Sequence, residues 1–149
     1  MRHTYSLALA ALAVASLQLV GCREASTYAK VEPAHVEPMK GSEISKVTLT
    51  EKAIERLAVE TAPIAETEVG EAENRQVKPA VPYSAVMYLP DGETFVYTSP
   101  APRTFVRQPI SIDFIEGDLA VLNEGPAVGT QIVTVGAAEL FGTEFGVGH

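Results

Sequence analysis

The sequence predicts a mainly β fold, a small β-roll or partial barrel carrying one or two short helices. Three observations predict it. From residue 81 onward, short runs alternate apolar and polar side chains, and turn signals such as Pro90-Asp91-Gly92 and Glu116-Gly117-Asp118 separate them. Helical spacing is confined to Glu51–Leu57 and to one turn at 136–141. The chain of 149 residues has room for one core and a tether.

Residues 1–22 read MRHTYSLALAALAVASLQLVGC. Arg2 and His3 give a basic head, and residues 7–15 are an unbroken apolar run, too short for a bilayer-spanning helix, which needs about 20 apolar residues. The layout is that of a secretory signal peptide covering residues 1–21. Its end, Leu19-Val20-Gly21-Cys22, resembles the bacterial lipobox. That resemblance implies cleavage before Cys22, then acylation of Cys22 with diacylglycerol and an amide-linked chain such as palmitate. Cys22 is the single Cys of the chain, so no internal disulfide can form, and lipidation would remove a thiol that is a liability outside the cytoplasm. Several acyl chains suffice for stable anchoring, at roughly 0.8 kcal/mol per buried CH2. The expected location is extracytoplasmic, on the periplasmic side of the outer or inner membrane. Arg23, in place of an Asp after the Cys, permits the outer one by resemblance to Gram-negative sorting.

Residues 22–43 read as a lipid-anchored linker. They are polar, with Val-Glu-Pro at 31–33 and again at 36–38. Pro fixes φ and removes a donor, which favours an extended, polyproline-like spacer reaching up to about 60 Å. Residues 44–149 form the folded domain. Residues 45–50 alternate as a strand, Thr50 caps the helix Glu51–Leu57 with Glu51 in its first turn, and residues 59–64 form a second strand. Residues 65–78 are polar and acidic without an aliphatic face, and read as a weakly ordered connection. Residues 81–88 then read as a strand, with a Pro-Asp-Gly turn leading into 94–98. Residues 104–114 follow, with Ile110, Ile112 and Phe114 on one face; 119–122 pair back. A Gly/Pro loop at 123–129 precedes the last strand, Gln131–Val135, then the turn 136–141 and a tail.

Removal of the leader takes Arg2 with it and leaves 10 basic against 19 acidic side chains. No basic patch stands out, so nucleic acid and anionic lipid are poor partners. Ser84 and Ser99 lack a base, because His35 lies in the linker and His149 at the terminus, so catalysis is not expected. No glycine-rich phosphate loop is present, and no cofactor or small-molecule substrate is evident. Met39 and Met87 are the thioethers left after the leader, too few for a three-Met copper site; His35, Glu37 and Met39 together could hold a soft cation weakly within the linker.

The carboxy-terminal half resembles the periplasmic adaptor subunits, or membrane fusion proteins, of resistance-nodulation-division (RND-type) efflux pumps, especially the heavy-metal-like branch. The matching residues are Val81-Pro82-Tyr83-Ser84-Ala85-Val86, Phe95-Val96-Tyr97, Phe105-Val106-Arg107-Gln108-Pro109-Ile110, Gly125 with Gly129, and Val133-Thr134-Val135-Gly136-Ala137-Ala138-Glu139-Leu140. Earlier, Val47-Thr48-Leu49-Thr50 and Arg56-Leu57-Ala58-Val59-Glu60-Thr61-Ala62 resemble the segment near the start of those adaptors. The resemblance spans residues 45–64 and 79–149. It implies that the early and late segments come together in a membrane-proximal domain beside a pump. It also implies a truncated form, because residues 65–78 stand where a full adaptor has a lipoyl domain, an α-helical hairpin and most of a barrel.

Three readings follow. The first is a non-catalytic, adaptor-like accessory lipoprotein bound to an RND-type efflux pump and acting in export. Its contacts would come from a concave β surface and an edge strand, through residues 103–110 and 136–145, with Arg103, Phe105, Arg107, Phe141 and Phe145 as the contact side chains. The second is an extracytoplasmic soft-metal-binding lipoprotein using His35, Glu37 and Met39. The third is a decayed adaptor fragment without a function.

Overall fold

The computed structural model describes residues 32–71 and 73–146, so the lipobox and Cys22 lie outside the described residues. Among the described residues the unit beginning at Glu32 is mainly β, a curled half-barrel sheet with two helices. Its strands are β1 (Ala34–Pro38), β2 (Ser45–Leu49), β3 (Glu60–Pro63), β4 (Ala65–Val69), β5 (Gln76–Pro82), β6 (Met87–Tyr88), β7 (Thr94–Ala101), β8 (Thr104–Glu116), β9 (Leu119–Glu124) and β10 (Gln131–Val135). The helices are α1 (Glu51–Leu57) and α2 (Ala137–Phe145). The path through the sheet is β3-β10-β7-β8-β9-β5-β4, with β1 and β2 added beside β8 and β6 beside β7; all pairings are antiparallel.

β7 explains why there are two cores. Its side chains alternate across the sheet, and both faces are covered. Phe95 and Tyr97 point into one cluster with Val47, Leu49, Ala53, Phe105, Val133 and Leu140; Val96 points into the other with Ile64, Val81, Ile110, Leu122 and Ile132. β10 splits the same way, Val133 to the first and Ile132 to the second. Full burial of one such side chain is worth about 1.5–3 kcal/mol.

The caps of α1 are local. The N–H of Ala53 donates to Thr50 Oγ1 at 3.2 Å, satisfying a donor that the first turn leaves free. Ala58 closes the helix in the left-handed region at φ 50°, and the Val59 N–H bonds to Ile54 O at 3.1 Å. The last helix begins at Gly136, whose φ of 87° suits glycine and whose α-carbon lies so near Val59 that a Cβ would meet Val59 Cγ2 at 3.0 Å.

The structure departs from the sequence reading at five places. Residues Ala34–Pro38, read as polyproline-like spacer, are β1, paired with β2 from Ala34↔Leu49 to Pro38↔Ser45. The pairing supplies the hydrogen bonds that an isolated extended stretch lacks, and Pro38 is tolerated at the strand end. Residues 65–78, read as a weakly ordered connection, belong to the β4–β5 hairpin with Val69 opposite Gln76 and Glu68 opposite Val77. Glu66 and Glu68 face out while Val69 is 3% exposed, so the alternation was there, hidden by side chains of low β propensity. Residues 81–88 are not one strand: after Pro82 the chain makes a 3-10 turn, Tyr83–Ala85, before β6. Ile110, Ile112 and Phe114 do not share a face. Register shifts at Ser111/Ile112 and Ile112/Phe114 turn Phe114 outward. Finally, α2 runs to Phe145 rather than 141.

Candidate functional site

The chemistry of the domain concentrates where α2 meets β7 and β8. Alternation along β8 sends Phe105 and Arg107 to the same side, toward the first core. Helical spacing along α2 puts Glu144 one turn after the buried Leu140, and Phe145 one turn after Phe141. The result is a charge pair deep in apolar surroundings. The side chain of Arg107 is 9% exposed and that of Glu144 only 2%.

The Glu144 carboxylate accepts three hydrogen bonds, from Arg107 Nε at 2.9 Å, the Tyr97 hydroxyl at 2.6 Å and the Ser45 N–H at 3.2 Å. Arg107 also donates through a second guanidinium nitrogen to Glu43 O at 3.1 Å. Its guanidinium lies 5.4 Å from the ring centre of Phe95 and 5.1 Å from that of Phe145. Phe141 packs against both rings, stacked on Phe95 at 6.1 Å and tilted against Phe145 at 4.5 Å. Burial, and secondly the bond to Glu144, push the Tyr97 hydroxyl well above the usual tyrosine range, so it stays a protonated donor at neutral pH. Among the described residues no buried side-chain nitrogen or oxygen lacks a partner. The network therefore fixes the end of α2 against three strands, with both charges compensated.

Beside this network lie two adjoining clefts. The smaller, about 400 Å3, is walled by Ile44, Leu89, Phe95, Pro109 and Phe145, with Arg107, Glu43 and Glu93 as its charged lining. The larger and more open one, about 750 Å3, runs between the β6–β7 hairpin and β8, past Tyr88, Ile110, Ile112 and Ile115. The two share Glu93, Thr94 and Pro109. A third depression, about 350 Å3, includes Arg103, His35, Thr48 and Glu32.

Of the contact residues expected from sequence, the structure splits the set. Arg103 is exposed at the β7–β8 turn with φ 61°, and its carbonyl accepts from the Leu49 N–H at 2.9 Å. Phe145 is 49% exposed and Phe141 half-buried. Phe105 is 2% exposed within the core, and Arg107 is spent on Glu144; both turn inward because β8 is covered on that face. Sequence reading missed Glu144 and Tyr97 as partners. The usable signal was a lone acid one turn after Leu140 on an apolar helix face, and it was lost by ending the helix at 141.

His35 and Glu37 do converge, at 3.2 Å, because β1 puts alternate residues on one side. Glu37, however, is paired with Lys46, and that hydrogen bond first, together with the Lys46 charge, holds its carboxyl below the usual range. Met39 lies beyond the strand end and is exposed. Among the described residues no three His, Cys, Asp or Glu side chains gather as a metal site would require. Ser84 and Ser99 donate to the backbone carbonyls of Thr134 and Ala101 at 3.3 Å each. Comparison with protein-family models, curated proteins and solved structures finds no match to this chain.

Proposed function

We propose that this chain is a non-catalytic, lipid-anchored binding module, an accessory protein akin to the adaptor subunits of RND-type efflux pumps, acting on the periplasmic side of the membrane. One observation carries the reading. The two sequence segments that resemble the adaptors are interleaved in one sheet: β2 pairs β8 through Val47↔Phe105, and β3 pairs β10 through Thr61↔Val133. The resemblance implies such a meeting of the two segments in a membrane-proximal domain, and between them stand residues 65–78, which hold β4 and the start of β5. The site chemistry supports binding: the buried charges are tied to one another, and the two clefts beside them have apolar walls lined by Glu43 and Glu93. Lipidation at Cys22 would hold the domain at the membrane surface, where a pump's periplasmic face is within reach.

The test is recovery of the protein, with its lipid, from its own membranes under mild detergent, followed by identification of what accompanies it. An efflux pump is expected, in amounts reduced when Phe145→Ser and Arg103→Glu change the two outward-facing contact residues. Recovery of the protein alone, from membranes that contain the pump, would refute the reading.

A further inference from the structure

We propose that the paired clefts beside β8 are a docking site for an extended segment of a partner protein in which apolar side chains alternate with Lys or Arg. The inference concerns the surface and the chemistry it selects, and does not require the partner to be a pump.

Three observations meet there. The first is an unpaired strand edge. β8 is flanked by both β2 and β7 in its first part, through Lys46↔Val106 and Thr98↔Val106. The β7 pairing ends at Thr94↔Ile110, and from Ser111 to Glu116 the only strand paired with β8 among the described residues is β9. One edge of this half-strand thus offers backbone donors and acceptors to another chain. The second is apolar relief beside it. The larger cleft borders this same half of β8 and is walled by Tyr88, Ile112 and Ile115, of which Tyr88 and Ile115 are about half exposed. A strand laid along the edge would place every second side chain toward such a wall.

The third is charge. Glu43, Glu93 and Arg107 are the charged side chains lining the two clefts. Arg107 is neutralised by Glu144, and among the described residues Glu43 and Glu93 have no ion-pair partner, while Asp91 in the adjoining turn accepts the Glu93 N–H. The occupant must bring positive charge to avoid leaving these carboxylates desolvated and unpaired. A second copy of this chain is disfavoured by its own acidity, 19 acidic side chains against 11 basic.

The probe is an acetylated, amidated peptide of alternating Lys and Val, fluorescently labelled and titrated with the full chain while anisotropy is read. Saturable binding is expected, weakening several-fold between about 0.05 M and about 0.5 M salt. Peptides alternating Glu with Val, or Lys with Ser, should not bind. N-methylation of either the Val or the Lys amides, one set and not the other, should weaken binding at least about tenfold, because a strand uses alternate amides for one edge. The exposed substitutions Glu43→Gln and Glu93→Gln together should weaken it about threefold to tenfold, and Ile115→Lys should abolish it, with circular dichroism unchanged. The proposal is overturned by a dissociation constant looser than about 1 mM. It is equally overturned by binding indifferent to both N-methylations, the behaviour of a pocket for a cationic amphiphile, or by binding unchanged in the Glu43/Glu93 variant.

Discussion

Removing the Glu144 carboxylate should be the most costly single change at the α2 junction. In Glu144→Ala the three donors it serves, on Arg107, Tyr97 and Ser45, lose their acceptor together. Arg107 keeps its bond to Glu43 O and its two ring contacts, but its charge has no compensating anion in a position that is 9% exposed. Removing one partner of a buried pair costs about 3–5 kcal/mol. The guanidinium can relax toward the neighbouring 400 Å3 cleft, which it lines, and that places the expected loss near the lower figure, about 3 kcal/mol. Glu144→Gln keeps shape and one acceptor oxygen, and its amide can donate to the Tyr97 hydroxyl; a loss of about 1–2 kcal/mol is expected. The double variant Arg107→Met with Glu144→Leu exchanges the pair for apolar volume and should recover most of the stability, because the desolvation cost of both charges disappears. Urea unfolding of the wild type, Arg107→Met, Glu144→Leu and the double variant closes the cycle. A Glu144→Ala loss below about 1 kcal/mol, or a double variant that loses the sum of the two singles, would refute the claim that the pair acts as one buried unit.

Other outcomes follow from the same structure. Tyr97 should make the fold sensitive to alkali: its unfolded hydroxyl ionises near pH 10, the folded one is held higher, so its stabilisation is fully present below about pH 10 and is lost as pH rises toward the folded value. Tyr97→Phe should flatten that alkaline fall in the urea midpoint while costing about 1 kcal/mol at neutral pH. Gly136→Ala should cost about 2–3 kcal/mol, since φ is 87° and the new Cβ would sit 3.0 Å from Val59 Cγ2 and 3.3 Å from Leu57 O. At Gly146, φ is 66° with nothing within 4 Å, and the same change should cost only about 1 kcal/mol; equal losses in thermal melts would undo the close-approach argument. Cys22→Ser should abolish incorporation of labelled palmitate and release the protein from membranes on fractionation; retained label would end the lipobox reading.

By itself the sequence determined the features whose causes lie within a few residues. Thr50 before Glu51 marks the start of α1, because a cap needs only the hydroxyl and the N–H three residues on. Asp91-Gly92 and Glu116-Gly117 mark the turns on either side of β7 and β8, because positive φ at Gly92 and Gly117 is a local requirement. Alternation marked most of β7 to β10, and so the mainly β class. Tertiary structure alone decided what depends on remote partners. Val36 lies in a segment that reads as spacer, and becomes strand because Val47 stands opposite it. The acidic run after Ala65 is a hairpin because β5 is itself held by β9 through Val81↔Ala120. Arg107 and Phe105 looked like surface for a partner; helix α2, closing over that face and bringing Glu144 to Arg107, made them interior. A lone arginine in a strand pattern carries no mark of the acid that will meet it, since that acid is chosen by how the sheet curls and not by spacing along the chain.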